Sequence, residues 1–248
     1  MAEFDLALVM PVYNEQECIA EVVRSWKTVL SRLGIPYQLI VLNDGSKDHT
    51  AEQLAAFAGD PAVVVVNKKN SGHGPTILEG YRMAVERAEW VFQCDSDDEM
   101  RAEHFPKLWN SRQQYDALFG IRSGREQNAG RKLISAVSRM TVRTLFGKGV
   151  QDVNTPYRLM RAPLLKQVVA QIPADTFAPN VIISGAFAKA GLRLCNLPVP
   201  HEGRRTGSVS IVKWKLWKAA FRSFRQTLRC RPTIVISDSP DQLGRRAA

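Results

Sequence analysis

Two hydrophobic patterns alternate along the first half of the chain. Short apolar runs, "LALVMPV" (6–12), "YQLIVLN" (37–43), "AVVVVN" (62–67), "WVFQC" (90–94) and "DALFGI" (116–121), read as buried strands. Helix-length stretches lie between them, at 15–33, roughly 48–58, 74–88 and 103–114. Gly34 ends the first helix, and Asn14 with Glu17 three residues on predicts a capping box at its start. Strand, helix, strand in succession predicts an α/β fold with a mostly parallel sheet flanked by helices. In such sheets the ligand site lies beyond the carboxyl ends of the strands.

The polar residues gather at those ends. "PVYNE" follows the first strand, "NDGS" the second, "NKKNSGHG" the third, "DSDDE" the fourth and "RSGR" the fifth. One polar strand end is an ordinary turn. Five along one edge of one sheet predict a site. After residue 125 the pattern changes: 130–147 reads as a basic amphipathic helix, 150–161 as a loop with a short strand, about 163–171 and 178–190 as helices, and 193–199 as a strand. No internal repeat or low-complexity tract is present, and "PTIVISDSPDQLGRRAA" reads as a poorly ordered tail.

Charge divides the chain. Residues 1–121 hold 11 Lys/Arg against 18 Asp/Glu (−7), 122–200 hold 12 against 3 (+9), and 201–248 hold 11 against 3 (+8). The acidic half suits a metal ion; the basic half suits phosphate, a membrane surface or nucleic acid. At 248 residues, 45% hydrophobic and 23% charged, the chain suits one large domain, or one domain with a C-terminal appendage. No run reaches the roughly 18 apolar residues of a membrane span, and acids before the first apolar run are the wrong flank for a secretory signal. Cys18, Cys94, Cys195 and Cys230 lie far apart and predict reduced thiols in a cytoplasmic protein.

The sharpest chemistry is in "CDSDDE" (94–99). Asp95 and Asp97 stand at i and i+2, so an extended chain points both carboxylates the same way. Hard oxygen ligands suit Mg²⁺ or Mn²⁺, and Mg²⁺ takes few protein carboxylates, filling its remaining positions with substrate phosphate and water. The competing reading is a solvated acidic turn capping the next helix. Asp44, in "NDGSKDHT", can accept from ribose hydroxyls or a base N–H, or merely close an Asx turn. "NSGHGP" (70–75) fits neither GxGxxG nor GxxxxGK[ST], which removes the dehydrogenase and P-loop readings.

Taken in order, "PVYNE", "LNDGSKDHT", "NSGHGPTILEGY", "QCDSDDE", "GIRSGR", "RKLIS" and "DVNTPYRLMR" resemble the family-2 inverting glycosyltransferases of GT-A fold, in the branch of dolichyl-phosphate mannose synthase and bacterial polyprenyl-phosphate glycosyltransferases. The resemblance covers roughly residues 6–213. It implies a GT-A catalytic domain over 1–203, a closing loop and amphipathic interfacial helix over 204–231, and a flexible tail over 232–248. Pro11, Tyr13, Glu15 and Asp44, together with Asn43 and Ser96, would hold the nucleoside of a GDP- or UDP-hexose. Asp95 and Asp97 would meet a metal ion and the diphosphate, with Glu99 as a further metal ligand. Arg122, Arg131 and Ser135 would face an acceptor phosphate, while Arg204 and Lys213 would grip the donor diphosphate. The chain departs from the family at Asn43-Asp44, where two acids are usual, and at "RRTGSVSIVK", where the lysine is displaced.

The implied reaction agrees with the charge distribution. Breaking the bond between the anomeric carbon and the diphosphate builds charge that a divalent ion and arginine stabilise. A lipid phosphate acceptor, with its second pKa near 6, is largely ionised at neutral pH and needs no strong base. A hydroxyl acceptor on a glycan or glycolipid needs a base, and Asp152 is the candidate.

Residues 209–231 place Trp214, Leu216, Trp217, Phe221, Phe224 and Leu228 within an arc of about 160°, with Lys215, Lys218, Arg222, Arg225 and Arg229 opposite. That pattern predicts either an interfacial helix on the cytoplasmic membrane face or a helix packed on the sheet with a solvated basic side. A membrane-protein partner is the other route to a bilayer-resident acceptor. A nucleic-acid binder would explain the basic half but not the acidic cluster.

Overall fold

One seven-stranded sheet runs in the order β3-β2-β1-β4-β6-β5-β7. The structure, a computed structural model, describes residues 2–124, 140, 149–202, 225–229 and 234–236. Its strands are β1 (Phe4–Val12), β2 (Tyr37–Asp44), β3 (Val63–Lys68), β4 (Ala88–Gln93), β5 (Ala117–Ser123), β6 (Arg158–Arg161) and β7 (Leu194–Pro200). The helices are α1 (Ile19–Arg32), α2 (Thr50–Ala55), α3 (His73–Ala84), α4 (Phe105–Ser111), α5 (Ala162–Gln171) and α6 (Pro179–Lys189). Every strand pair is parallel except those made by β6, which runs antiparallel between β4 and β5.

The continuous apolar runs are explained by cover on both faces. Along β1, Ala7 and Val9 join the core under α3, α5 and α6, whereas Leu6, Leu8 and Met10 join the core under α1 and α4. The second core is built around aromatic rings. Phe92 lies 4.7 Å from Tyr157, 4.8 Å from Phe105 and 5.2 Å from Trp26, in tilted and edge-on pairs that add to simple burial.

The predicted first helix starts late. Asn14 is in the left-handed region (φ 54°) and its side chain accepts from the Lys47 amide, so it pins one strand-end loop to the next and no capping box forms. The helix begins at Ile19 instead. The expected tail also needs correction at residues 234–236. Ile234 is buried in the core, and Val235 exchanges hydrogen bonds with Gln171 at the end of α5 through its N–H and C=O. An apolar side chain with space to fill and backbone groups with partners does not stay in solvent. The expected helices at 130–147 and 209–231 lie essentially outside the described residues, apart from a helical segment at 225–229. Among the described residues no helix is long and apolar enough to cross a membrane, and Cys18, Cys94 and Cys195 are free thiols.

One charge ties the late strands together. Asp116, before β5, accepts from the Arg193 amide (2.9 Å) and guanidinium (3.1 Å), and Arg161 on β6 lies 3.7 Å away. Burial pushes its carboxyl up, but the Arg193 bonds and the two arginine charges outweigh that, leaving its pKa below the ordinary value. Its stabilisation is therefore complete above the unfolded-state pKa, about 3.9, and is lost as pH falls through the lower folded value. Asp116→Asn should cost about 2 kcal/mol at pH 7, and the difference from wild type should shrink in melts taken below about pH 4.

Candidate functional site

The carboxyl ends of β1, β2 and β4 and the entry to α3 surround one cavity of about 400 Å³. It opens where the strand order reverses between β2-β1 and β4, the switch point at which open α/β sheets bind ligands. β1 contributes Pro11, Val12, Tyr13 and Glu15; β2 contributes Asp44; the loop into α3 contributes Asn70, Gly72, His73 and Thr76; β4 contributes Asp95, Ser96 and Asp97. Five of the eight residues expected to hold the nucleotide, Pro11, Tyr13, Glu15, Asp44 and Ser96, and the aspartate pair itself line this wall. Asn70, His73 and Thr76 join them without a sequence expectation, Asn70 and His73 within the "NSGHGP" helix entry and Thr76 directly after it.

Asp44 is held rigidly. Its two oxygens accept from the amides of Ser71 (2.8 Å) and Gly72 (2.9 Å), and Lys68 Nζ lies 3.3 Å away. Burial raises its pKa, but the bonds from Ser71, Thr76, Gly72 and Lys68 outweigh that and keep it an anion. Asn43 does not reach the cavity. It is 4% exposed, donates to Asn67 on β3 (2.8 Å) and accepts from the Ser46 amide, bracing the β2 turn because the parallel register sets it opposite Asn67.

The glycines of the α3 entry serve packing. A Cβ on Gly74 would stand 2.1 Å from the carbonyl oxygen of Phe177 and 2.5 Å from that of Thr176, so only glycine lets that loop close over the helix start. Gly72 has φ 93°, which positions its amide on Asp44.

The acidic loop turns sharply after β4, with Asp98 in the left-handed region (φ 56°). Asp97 accepts from the Glu99 amide (3.2 Å). Asp95 lies 3.8 Å from His73 Nε2. Burial pushes the Asp95 carboxyl up, His73 and Arg122 pull it down, and Asp97 and Glu99 push it up; the net result is a raised pKa. A carboxylate lifted by burial and like charge is one that gains from a bound cation. Two hard oxygen donors on one cavity wall suit Mg²⁺ or Mn²⁺. Glu99 departs from expectation: its carboxylate pairs with His201 Nε2 at 2.9 Å, and Glu202 N–H bonds the Glu99 carbonyl, so this side chain anchors the end of β7 instead of standing with Asp95 and Asp97 on the cavity wall. His201 carried no sequence signal. Glu103, His104 and Glu202 bring ligand-type atoms within 4.8 Å of one another, but Arg101 already lies against Glu103 and Glu202 and supplies their positive charge.

Arg122, at the end of β5, forms a two-pronged pair with Asp152: Nε to Oδ2 at 2.6 Å and Nη2 to Oδ1 at 2.8 Å. Both carboxylate oxygens are engaged, which fits a group that orients a guanidinium better than one that takes a proton from a hydroxyl. Arg131, Ser135, Arg204 and Lys213 lie outside the described residues.

Comparison with known proteins gives a consistent picture. The family model described as "Glycosyl transferase family 2" matches residues 7–169. The chain is 28% identical over 208 residues to an undecaprenyl-phosphate 4-deoxy-4-formamido-L-arabinose transferase of Pectobacterium atrosepticum, covering 82% of this chain and 62% of the relative. Its counterpart in Pseudomonas aeruginosa is 28% identical over 220 residues, covering 87% and 63%. The chain thus spans less than two thirds of the length of these relatives. Among solved structures, glucosyl-3-phosphoglycerate synthase of Mycobacterium tuberculosis, in complex with Mn²⁺, UDP-glucose and glycerol 3-phosphate, superposes with a TM-score of 0.68 at 17% identity, covering 95% of this chain and 82% of that one. The mostly parallel sheet flanked by helices is therefore the fold that the motifs implied.

Proposed function

This chain belongs to glycosyl transferase family 2, and from that premise we propose that it transfers a glycosyl group from a nucleotide-sugar to the phosphate of a polyprenyl lipid, with inversion. The observation that carries this reading is one cavity lined by Tyr13 and Asp44 together with Asp95 and Asp97. The relatives named for undecaprenyl-phosphate sugar transfer support the lipid acceptor, and the structure solved with Mn²⁺ and UDP-glucose supports a nucleotide-sugar donor. The donor is read as GDP- or UDP-linked, with a hexose as the sugar to test first.

Each side chain then has a task. Asp44, locked by the 71–72 amides, receives the ribose or base, and Tyr13, 39% exposed, offers a ring face to the nucleoside. Asp95 and Asp97 would hold Mg²⁺ or Mn²⁺, which when bound neutralises the diphosphate. Arg122, aimed by Asp152, draws the acceptor phosphate towards the anomeric carbon; the phosphate oxygen forms the new bond as the sugar–diphosphate bond breaks. Ser135 and Arg131 would share the acceptor phosphate, and Arg204 and Lys213 the departing diphosphate. The acceptor implies work at a membrane surface, through 209–231 or a membrane-protein partner, on the cytoplasmic face where nucleotide-sugars are found. We assign 1–203 as the catalytic unit and 204–231 as the segment that closes over it.

A hydroxyl acceptor is the second reading, and the doubly engaged Asp152 speaks against it. Incubating the protein with Mn²⁺, undecaprenyl phosphate and labelled GDP-mannose or UDP-glucose should move label into a lipid fraction that mild acid releases. Label appearing only in an acid-stable glycan or glycolipid would overturn the reading. Asp152→Asn should raise the acceptor KM about tenfold through misaimed Arg122, with an unchanged pH profile. Loss of a general base would instead cost roughly 10²–10⁴ in kcat.

A further inference from the structure

Behind the acidic loop lies a group of buried polar side chains that the proposed reaction does not touch. Gln93, the last residue of β4, and Tyr81, on α3, are both 0% exposed, and Asn180, on α6, is 4% exposed. Tyr81 Oη is 2.7 Å from Gln93 Oε1 and 3.0 Å from Asn180 Oδ1, and Asn180 Nδ2 donates to Gln93 Oε1 at 2.8 Å. The remaining end of the Gln93 amide meets the site: Nε2 lies 3.4 Å from Asp95 Oδ1. Asp95 follows Gln93 by two residues, just beyond the end of β4, where the Gln93 amide reaches it.

The orientation of the two amides in this group follows from their partners. If Gln93 were turned over, its oxygen would face the Asp95 carboxylate, and two acceptors would stand against each other. With the amide as found, its oxygen takes the Asn180 amide proton and stands within reach of the single Tyr81 hydroxyl proton, and its nitrogen has one acceptor to serve, Asp95. Burial pushes the Tyr81 phenol up, so it remains a neutral donor across the working pH range. The support extends further: Arg158, fully buried, donates to the Asn180 carbonyl at 3.1 Å and holds the α6 end of the group.

Three apolar side chains would fill this space without any risk of unpaired polar atoms, each of which costs about 1–3 kcal/mol when buried. Gln93 Nε2 at 3.4 Å and His73 Nε2 at 3.8 Å approach the same Asp95 oxygen, Oδ1. A carboxylate steadied at one oxygen presents the other in a fixed direction, and outer-layer hydrogen bonds of this kind govern how well a carboxylate binds a metal ion. We propose that Gln93, itself fixed by Tyr81 and Asn180, is the positioning residue that sets the Asp95 carboxylate for the cation–diphosphate of the donor. This rests on the proposed function and adds to it a residue that reaches the ligand only through Asp95.

Titration calorimetry with Mn²⁺·UDP and Mn²⁺·GDP, alongside ligand-free thermal melts, tests the proposal. Gln93→Met should weaken the preferred Mn²⁺·nucleotide about tenfold, while binding of the nucleotide in excess chelator stays as in wild type. Gln93→Glu keeps an acceptor for Tyr81 and Asn180 but turns an acceptor on Asp95, and should lose at least as much. Tyr81→Phe removes the hydroxyl that bridges the Gln93 and Asn180 oxygens and should lose about threefold. A role in packing alone predicts lower melting temperatures with unchanged Mn²⁺-dependent affinity in the folded protein, and that result would overturn the proposal. Should Gln93→Met not fold, Tyr81→Phe, which deletes one oxygen, decides by the same affinity measurement. A wild-type protein that binds neither complex would sink the nucleotide-sugar reading itself, a failure visible before any substitution is made.

Discussion

Asp97→Ala is expected to reduce sugar transfer about a thousandfold or more, to abolish the Mn²⁺-dependent part of nucleotide binding, and to leave the melting temperature unchanged or raised. The first two effects follow from removing a carboxylate from the wall where Asp95 and Asp97 stand together. A thousandfold corresponds to about 4 kcal/mol of transition-state stabilisation, the scale of a fixed charge facing a leaving diphosphate in a partly dry site. The third effect separates this residue from a structural one. Asp97 is among the charges that push the Asp95 carboxyl up, so in the absence of metal its removal relieves repulsion. Wild-type protein in excess chelator should fall to the variant's activity. Full transfer in chelator, or a variant that binds Mn²⁺·UDP and Mn²⁺·GDP as wild type does, would contradict the metal-dependent reading.

Arg158→Met is expected to destabilise the protein by about 4 kcal/mol, the largest effect on folding of any substitution considered. The guanidinium is wholly buried and burial pulls its pKa down, yet an arginine stays charged. Its donors go to the carbonyls of Thr155 (2.8 and 2.9 Å), Asn180 (3.1 Å) and Val153 (3.3 Å), and to Ser184 Oγ (3.4 Å). Methionine fills much of the volume but orphans several of these acceptors. Lysine keeps the charge but lacks the planar fork, so Arg158→Lys should recover only a minor part of the loss. Urea unfolding followed by fluorescence measures both. A change under 1 kcal/mol would mean that water satisfies these carbonyls.

Elements whose signal is local were legible in the sequence. The five early strands were placed within about two residues because an apolar run bounded by turns carries its own boundaries. The aspartate pair was legible because a strand followed by D-x-D needs no distant partner to be noticed. Asn14 was misread because its side chain answers the Lys47 amide, a contact across 33 positions that competes with capping. Asn43 was misassigned for a similar reason: its neighbour Asn67 belongs to another strand. Glu99, expected beside the aspartate pair, carries no sign in the sequence of its pairing with His201, 102 positions away. Gln93 lies in "QCDSDDE" but carries no signal of its own, since only the arrival of α3 and α6 gives its amide something to hold.

The position of β6 bears on the order in which the molecule assembles. Among the described residues, β4 bonds to the later half of the sheet only through Arg158–Arg161, and β5 and β7 reach the earlier strands by the same four residues. β5 ends at Ser123 and β6 begins at Arg158, so a long stretch of chain must close before the two halves share a backbone ladder. The β-α-β units of residues 4–93 need no such closure and can form early, carrying most of the cavity's lining with them. Wedging the antiparallel strand into place then becomes the slow, late event of folding. A chain arrested before it would expose the flank of β4, bare peptide groups beside an apolar face, to any neighbour able to pair with it.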